Sequence, residues 1–240
     1  MKGIILAGGS GTRLRPLTTI TSKQLLPVYN KPMIYYPLEV LLKAGIKDIL
    51  IIVAPERAGD FLRLLGSGKE FGAKFTYEIQ DKPEGLAHAL VIGEDFLDDG
   101  DNCTLILGDN IFEDDLSSHI QNFQTGAHIF VREVPEEDRT RLGIVEIDSE
   151  GKVLSLEEKP EKPKSKYAQT GLYIYDSKAV NAVKNQKPSA RGELEITDLN
   201  RWYLENDTLK ASVISGEWID AGTFESLFRA AELARKKALK

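Results

Sequence analysis

At 240 residues, with 42% apolar and 28% charged side chains, the chain has the composition of a globular protein able to bury a large core. A formal net charge of -6 argues against a general nucleic-acid binder, and no apolar run approaches the roughly 18–20 residues that a membrane span requires. The single cysteine, Cys103, excludes an intrachain disulfide or a cysteine-cluster metal site and favours a reducing cytoplasm, while the apolar opening at Met1–Ala7 is too short for a signal peptide.

In chain order, Gly3–Ala7 reads as a buried strand, Met33–Ala44 as a helix and Asp48–Ala54 as a second buried strand. Glu56–Leu65 reads as a helix, Lys74–Gln80 as a strand, Leu86–Phe96 as a helix and Cys103–Leu107 as a short buried strand. Continuous apolar strands alternating with helices predict a mostly parallel α/β sheet covered on both faces. The second half changes pattern. Ala127–Glu133, Gly143–Ile147, Val153–Glu158 and Ala168–Tyr175 read as strands, the middle two joined by the compact loop Ser149–Lys152. Thr170-Gly171 inside the last strand suggests close approach of a ligand or backbone. Glu195–Asn206 and Thr223–Lys240 read as helices. The expected architecture is one domain, 1–240, of Rossmann-like α/β type: a mixed, mostly parallel sheet flanked by helices, with a small antiparallel extension. Its halves divide near residue 125.

The first functional signal is charge. No Asp or Glu occurs from Met1 to Leu38, whereas Lys2, Arg13, Arg15, Lys23 and Lys31 do. Such a segment suits an anion, although the same residues could form a solvated face. Leu6-Ala7-Gly8-Gly9-Ser10-Gly11-Thr12-Arg13 follows the first strand directly, at the carboxyl end where α/β sheets bind ligands. Glycines there let backbone N–H groups approach a phosphate, although a tight turn also explains them. A P-loop fails because Thr12-Arg13 follows Gly11 in place of Lys-Ser/Thr, and a dinucleotide fingerprint fails because Leu14 stands where its third small residue belongs. With Arg13 at its end and Lys23 beyond, the loop reads as a triphosphate cradle.

Leu6–Thr18, with its Gly-Gly-Ser-Gly-Thr-Arg-Leu-Arg-Pro core, resembles the signature of the sugar-nucleotide pyrophosphorylases, a family of sugar nucleotidyltransferases. Ser22-Lys23-Gln24-Leu25-Leu26-Pro27-Val28 and Lys31-Pro32-Met33-Ile34-Tyr35-Tyr36-Pro37-Leu38 are similar to its glucose-1-phosphate thymidylyltransferase branch. The likeness runs on in order through Gln80, Gly85-Leu86-Ala87, Gly108-Asp109-Asn110, Gly143–Glu146, Glu157–Pro160, Thr170–Tyr173, Arg191–Asp198 and Trp218–Thr223. It implies transfer of a nucleotidyl group from dTTP to glucose 1-phosphate, with the same chemistry on UTP or another sugar 1-phosphate as the alternative. A catalytically silent binding or regulatory subunit is a third reading, against which the presence of Arg13, Lys23, Asp109 and Asp220 counts. It implies Mg²⁺ as cofactor, two small-molecule substrates as partners, and homo-oligomers of the kind many members form; nucleic acid and membrane are not implied. The chain resembles the short form of the family, so the feedback site of longer members is not carried over.

The resemblance also distributes roles. Asp109, just past a strand and Gly108, and Asp220, in Trp218-Ile219-Asp220-Ala221-Gly222, are assigned to the metal, though each alone could be a turn or N-cap aspartate. Arg13 suits the leaving pyrophosphate, and Lys23 the α-phosphate or the sugar phosphate. These four form the catalytic set. Nucleotide binding falls to Leu6, Gly8, Gly9, Ser10, Gly11, Thr12, Arg13, Gln24, Gln80, Pro83, Gly85 and Asp109. The Gln80 amide offers a donor and an acceptor to a pyrimidine edge, or is simply a polar strand end. Sugar-phosphate binding falls to Lys23, Leu107, Gly143, Glu158, Lys159, Thr170, Tyr173 and Arg191. Leu142 and Gln169 depart from the residues common in the family near the expected sugar pocket. His88, His119 and His128 fall outside every motif and read as structural or solvent-facing.

Overall fold

The computed structural model describes residues 1–239 and groups them into two compact units. The first comprises Met1–Pro83, Leu105–Asn122 and the stretch from Gly216 onward; the second comprises Glu84–Thr104 and Phe123–Ser215. The units therefore interleave along the chain, whereas the sequence pattern suggested two successive halves of one domain.

In the first unit, Lys2–Ala7, Asp48–Val53 and Lys74–Ile79 run parallel, with Gly3 opposite Ile49 and Asp48 opposite Lys74. The strand Cys103–Leu107, which belongs to this unit from Leu105 on, lies on the other side of Lys2–Ala7. Ile4, Ile5 and the run Ile49–Val53 are fully buried, as continuous apolar strands must be when both sheet faces are covered. The helix read at Met33–Ala44 occupies Tyr35–Lys43; Pro37 is tolerated in its first turn, where N–H groups lack intrahelical partners. The predicted Glu56–Leu65 helix becomes a 3₁₀ turn, Pro55–Arg57, leading into a helix at Ala58–Leu65.

Several short strands were not anticipated, Pro27–Val28 and Lys31–Pro32 among them. Asn110–Phe112 pairs antiparallel with Trp218–Asp220, matching Asn110 with Asp220. This pair is held from beneath by the helix Phe224–Ala238, whose Ala230, Leu233 and Ala234 pack with Val28, Met33, Ile111, Ile219 and Ala221. The helix starts on a capping box: the Thr223 hydroxyl accepts the Ser226 N–H, and Ser226 Oγ accepts the Thr223 N–H, a device worth about 1 kcal/mol. The predicted end of this helix at Lys240 lies outside the described residues.

The second unit is built on a sheet ordered Val153–Glu158, Gly143–Ile147, Tyr167–Tyr175, Ala127–Glu133, Leu209–Val213. The first four strands are antiparallel, and the unpredicted edge strand Leu209–Val213 is parallel to Ala127–Glu133. The hairpin loop is tied by Asp148, whose Oδ1 accepts the N–H groups of Glu150 (2.8 Å) and Lys152 (2.9 Å). Register between Tyr167–Tyr175 and Ala127–Glu133 shifts between Gln169 and Tyr173, an irregularity that spans Thr170-Gly171. The helix Ile196–Glu205 turns Ile196, Thr197, Leu199, Asn200 and Tyr203 inward. The stretch read as one helix at Leu86–Phe96 is interrupted at Gly93, giving His88–Ile92 and a 3₁₀ turn Glu94–Phe96. The chain is thus a mixed, mostly parallel α/β fold with helices flanking the sheet. Among the described residues no helix is long and apolar enough to cross a membrane.

Candidate active site

The strand pair Asn110–Phe112/Trp218–Asp220 brings Asp109 and Asp220 side by side, although they are far apart along the chain. The Ala221 N–H donates to the Asp109 carbonyl at 3.0 Å, and Trp218 Nε1 donates to Asn110 Oδ1 at 2.6 Å, which fixes the two backbones together. Asp109 is buried; it forms a direct ion pair with Lys23, and Asn110 Nδ2 donates to its Oδ1 at 3.0 Å. Burial alone would raise the Asp109 carboxyl, but Lys23 and the hydrogen bonds outweigh it and hold the group below the ordinary carboxylate range. Lys23 shows the reciprocal balance: burial opposes its charge, and Asp109 more than restores it.

Asp220 is differently placed. Arg13 Nη2 stands 4.0 Å from its Oδ2, and its Oδ1 is buried without a hydrogen-bond partner. Burial, then the charge of Asp109, push this carboxyl up to about 6. A buried, unpartnered carboxylate oxygen beside a second carboxylate is a costly arrangement by itself. It is the donor set a divalent cation uses, since Mg²⁺ takes one or two carboxylates and fills its other positions with substrate oxygens and water. The residues fit the metal. Gly222 makes room here: a Cβ on it would lie 2.7 Å from Arg13 Nη2 and 2.9 Å from Asp220 Oδ1.

The glycine loop lies over the same region. Gly11 adopts a left-handed conformation (φ 62°), leading into the 3₁₀ turn Thr12–Leu14, and its carbonyl accepts from the Thr18 hydroxyl at 2.7 Å. A Cβ on Gly9 would meet Lys23 Nζ at 3.5 Å, so the loop passes directly beside that ammonium. Ser10 and Thr12 are exposed, and Leu6 is buried with its carbonyl accepting the Gly108 N–H at 2.9 Å. Gln80 is buried against the loop: a Cβ on Gly8 would fall 2.6 Å from Gln80 Oε1. Gln24 is turned inward; its Oε1 accepts from Ser22 at 2.5 Å. Leu107 is half-buried and Pro83 exposed.

In the second unit a separate polar group forms around Glu158. Its Oε1 faces Lys159 Nζ at 3.3 Å and Arg191 Nη2 at 3.4 Å, and its Oε2 accepts from the Thr197 hydroxyl at 2.5 Å. Lys159 follows the strand in a left-handed conformation (φ 46°), an uncommon state for a non-glycine residue and one that clusters at functional sites. Arg191 is steadied by Glu195, whose Oε1 accepts its Nη2 at 2.8 Å. Tyr173 is buried, and burial together with the charge of Glu158 raises its phenol well above the ordinary range. The Thr170 hydroxyl is buried without a partner. Gly85 (φ 106°) runs so close to Leu194 that a Cβ would lie 2.3 Å from its carbonyl oxygen.

The fold thus gathers Arg13, Lys23, Asp109, Asp220, the glycine loop and Gln80 within the first unit. It gathers Gly143, Glu158, Lys159, Tyr173 and Arg191 within the second. Sequence reasoning gave no role to Gly222, Glu195, Thr197 or Asn200. Glu195 lies four residues beyond Arg191 but ahead of the helix Ile196–Glu205, so no helical spacing marked the pair. The histidines stay outside both groups: His128 Nε2 is 2.9 Å from Ser212 Oγ, and His88 faces Glu84.

Comparison with known proteins gives the family and the fold. The family model for nucleotidyl transferases matches residues 2–237. The chain is 52% identical to a glucose-1-phosphate thymidylyltransferase of Neisseria meningitidis over 98% of its own length and 83% of the relative's. It is 49% identical to one of Mycolicibacterium smegmatis, over 98% and 82%. A crystal structure from Bacillus anthracis, assigned to the glucose-1-phosphate thymidylyltransferases and holding a sucrose, superposes with a TM-score of 0.92 at 50% identity, covering 98% of this chain and 95% of that one. A UDP-glucose pyrophosphorylase complexed with UDP-glucose superposes with a TM-score of 0.85 at 26% identity, over 98% of each chain.

Proposed function

Because this chain belongs to the nucleotidyl transferase family, and within it to the glucose-1-phosphate thymidylyltransferases, we propose that it transfers a thymidylyl group from dTTP to glucose 1-phosphate, releasing pyrophosphate and giving dTDP-glucose. The observation that carries the reading is the pairing of Asp109 with Asp220 across two short strands, with Lys23 and Arg13 against them and the glycine loop alongside.

An oxygen of the sugar phosphate attacks the α-phosphorus in line, and the bond to the β-phosphate oxygen breaks as pyrophosphate leaves. The attacking group is already anionic near neutral pH, so no general base is needed, which accords with histidines that lie apart. The chain's contribution is to position two polyanions and to offset their charge. Arg13, exposed and able to fork two oxygens, is assigned to the departing pyrophosphate. Lys23 is assigned to the α-phosphate or the sugar phosphate. The N–H groups of Gly8, Gly9, Ser10, Gly11 and Thr12 cradle the triphosphate, and Gln80 with the Gly85 backbone reads the base edge. Glu158 accepts from sugar hydroxyls, and Lys159 and Arg191 meet the sugar phosphate, with Gly143, Thr170 and Tyr173 as walls. Asp109 and Asp220 would hold Mg²⁺, which when bound supplies neutralisation of phosphate charge.

The greater identity to thymidylyltransferases than to the UDP-glucose pyrophosphorylase favours dTTP over UTP. The single cysteine, Cys103, suits a reducing compartment, and we assign the protein to the cytoplasm, as a homo-oligomer like many members of its family. The test is pyrophosphate release with dTTP, UTP, dCTP and dATP, each against glucose 1-phosphate with Mg²⁺. Fastest turnover on dTTP is expected. Equal or faster turnover on UTP would reassign the nucleotide, and silence with every triphosphate would reject the reaction.

A further inference from the structure

Gln169 is buried, and its amide is engaged at both ends. Its Nε2 donates to Thr197 Oγ1 at 2.5 Å, and its Oε1 accepts from Asn200 Nδ2 at 2.9 Å. Asn200 Oδ1 in turn accepts from the Tyr175 hydroxyl at 2.6 Å. At the other end, the Thr197 hydroxyl donates to Glu158 Oε2 at 2.5 Å. Tyr175, Asn200 and Thr197 are wholly buried, and Gln169 is 6% exposed.

The terminus fixes the direction of every bond in this chain. The ionised carboxylate of Glu158 can only accept, so Thr197 must spend its one proton on it. Thr197 Oγ1 must then accept from Gln169, which turns the amide nitrogen of Gln169 toward it. The Gln169 oxygen is left to accept from Asn200, and the Asn200 oxygen from Tyr175. Four donors therefore point one way, toward the carboxylate, and bonds aligned in this manner polarise one another. Gly143 belongs to the same device, since a Cβ there would lie 2.3 Å from Gln169 Nε2. An apolar side chain at 169 would leave the buried Asn200 amide without its acceptor and the Thr197 hydroxyl without its donor, so the amide holds Thr197 in place for Glu158.

We propose that Gln169 is a positioning residue for sugar recognition: through Thr197 it holds Glu158 in one orientation and so sets how strictly the protein distinguishes the hydroxyl pattern of its sugar 1-phosphate. The proposal rests on the reading of Glu158 as an acceptor for sugar hydroxyls. It requires no new step, only that a carboxylate with one oxygen pinned by Thr197 presents its remaining lone pairs in a fixed direction.

The experiment is steady-state kinetics on the full chain with dTTP and either glucose 1-phosphate or galactose 1-phosphate. Gln169→Met keeps the volume and removes the donor. It is expected to raise KM for glucose 1-phosphate about tenfold, to leave kcat and KM for dTTP within about twofold, and to narrow the preference over galactose 1-phosphate about tenfold. Thr197→Val, cutting the chain one link later, is expected to do the same, and the double variant to be no worse than the more affected single variant. Wild-type sugar KM and preference in Gln169→Met would overturn the proposal, as would additive effects in the double variant or an equal rise in both substrates' KM. If Gln169→Met fails to fold, Thr197→Val decides by the same readouts. Glu158→Gln separates the premise from the inference. If it alone raises the sugar KM, the positioning role fails and the sugar-side reading stands; if it leaves that KM unchanged, the sugar-side reading fails first.

Discussion

In the first unit Asp220 leaves a buried oxygen without a partner and Lys23 is tied to Asp109, whereas in the second unit each donor from Tyr175 to Thr197 is committed in sequence to Glu158. The first arrangement is unfavourable as it stands: two carboxylates adjoin, burial penalises both, and only one has an ammonium against it. Such a site improves when a multivalent cation and polyanion arrive. The second arrangement already has its donors and acceptors paired, which suits the recognition of neutral sugar hydroxyls proposed for Glu158. One site holds its affinity in unmet charge, the other in settled hydrogen bonds.

The strongest way to break this contrast is to remove the charge. Asp109→Asn and Asp220→Asn are each expected to cut turnover by about 10³-fold or more while the protein remains folded, measured as pyrophosphate release with Mg²⁺ present. A variant that kept Mg²⁺-dependent turnover would take that aspartate out of the metal site. On the second unit, Gly143→Ala drives a methyl into the Gln169 amide and is expected to raise KM for the sugar phosphate about 10- to 100-fold, with nucleotide KM little changed. An equal effect on both substrates would mean general distortion. Gln80→Ala should weaken dTTP binding by about 1–3 kcal/mol, read by calorimetry, and unchanged affinity would move base recognition elsewhere.

The smallest effect sharpens the comparison most. With its carboxyl held at about 6, against 3.8 for an ordinary aspartate, Asp220 favours the protonated form in the folded state. The folded protein therefore bears a cost that is absent below about pH 4 and complete above about pH 6. In EDTA, Asp220→Asn should be more stable than the parent at pH 8 by about 1 kcal/mol, a figure kept low because the side chain is 36% exposed. That advantage should shrink as pH falls through 6 and disappear near 4, as followed by urea unfolding at each pH. A less stable variant at pH 8 would show that the site is not strained by its own charge.

Much of this was legible before any coordinates. Ile49–Val53 could only be a strand buried on both faces, and the observed strand Asp48–Val53 carries it. The glycine loop declared its place by following a buried strand and by the lack of any acid near it. Other features were silent because their cause is remote in sequence. The three-residue strands Asn110–Phe112 and Trp218–Asp220 have no periodicity of their own and exist because each supplies the other's hydrogen bonds. The edge strand Leu209–Val213 is half polar and is recruited by its parallel neighbour. Gln169 showed only as a departure from the family's usual residue; its bonds to Thr197 and Asn200 depend on a helix packing against its strand.

What the amino-acid order determined alone is therefore what local physics governs: which runs are buried, where the backbone can approach a phosphate, and which side chains carry charge. What tertiary structure decided is which of those charges meet. A carboxylate's behaviour is set by its neighbours within a few ångströms, and only folding makes Asp109 the neighbour of Asp220 and leaves one of their oxygens without a partner.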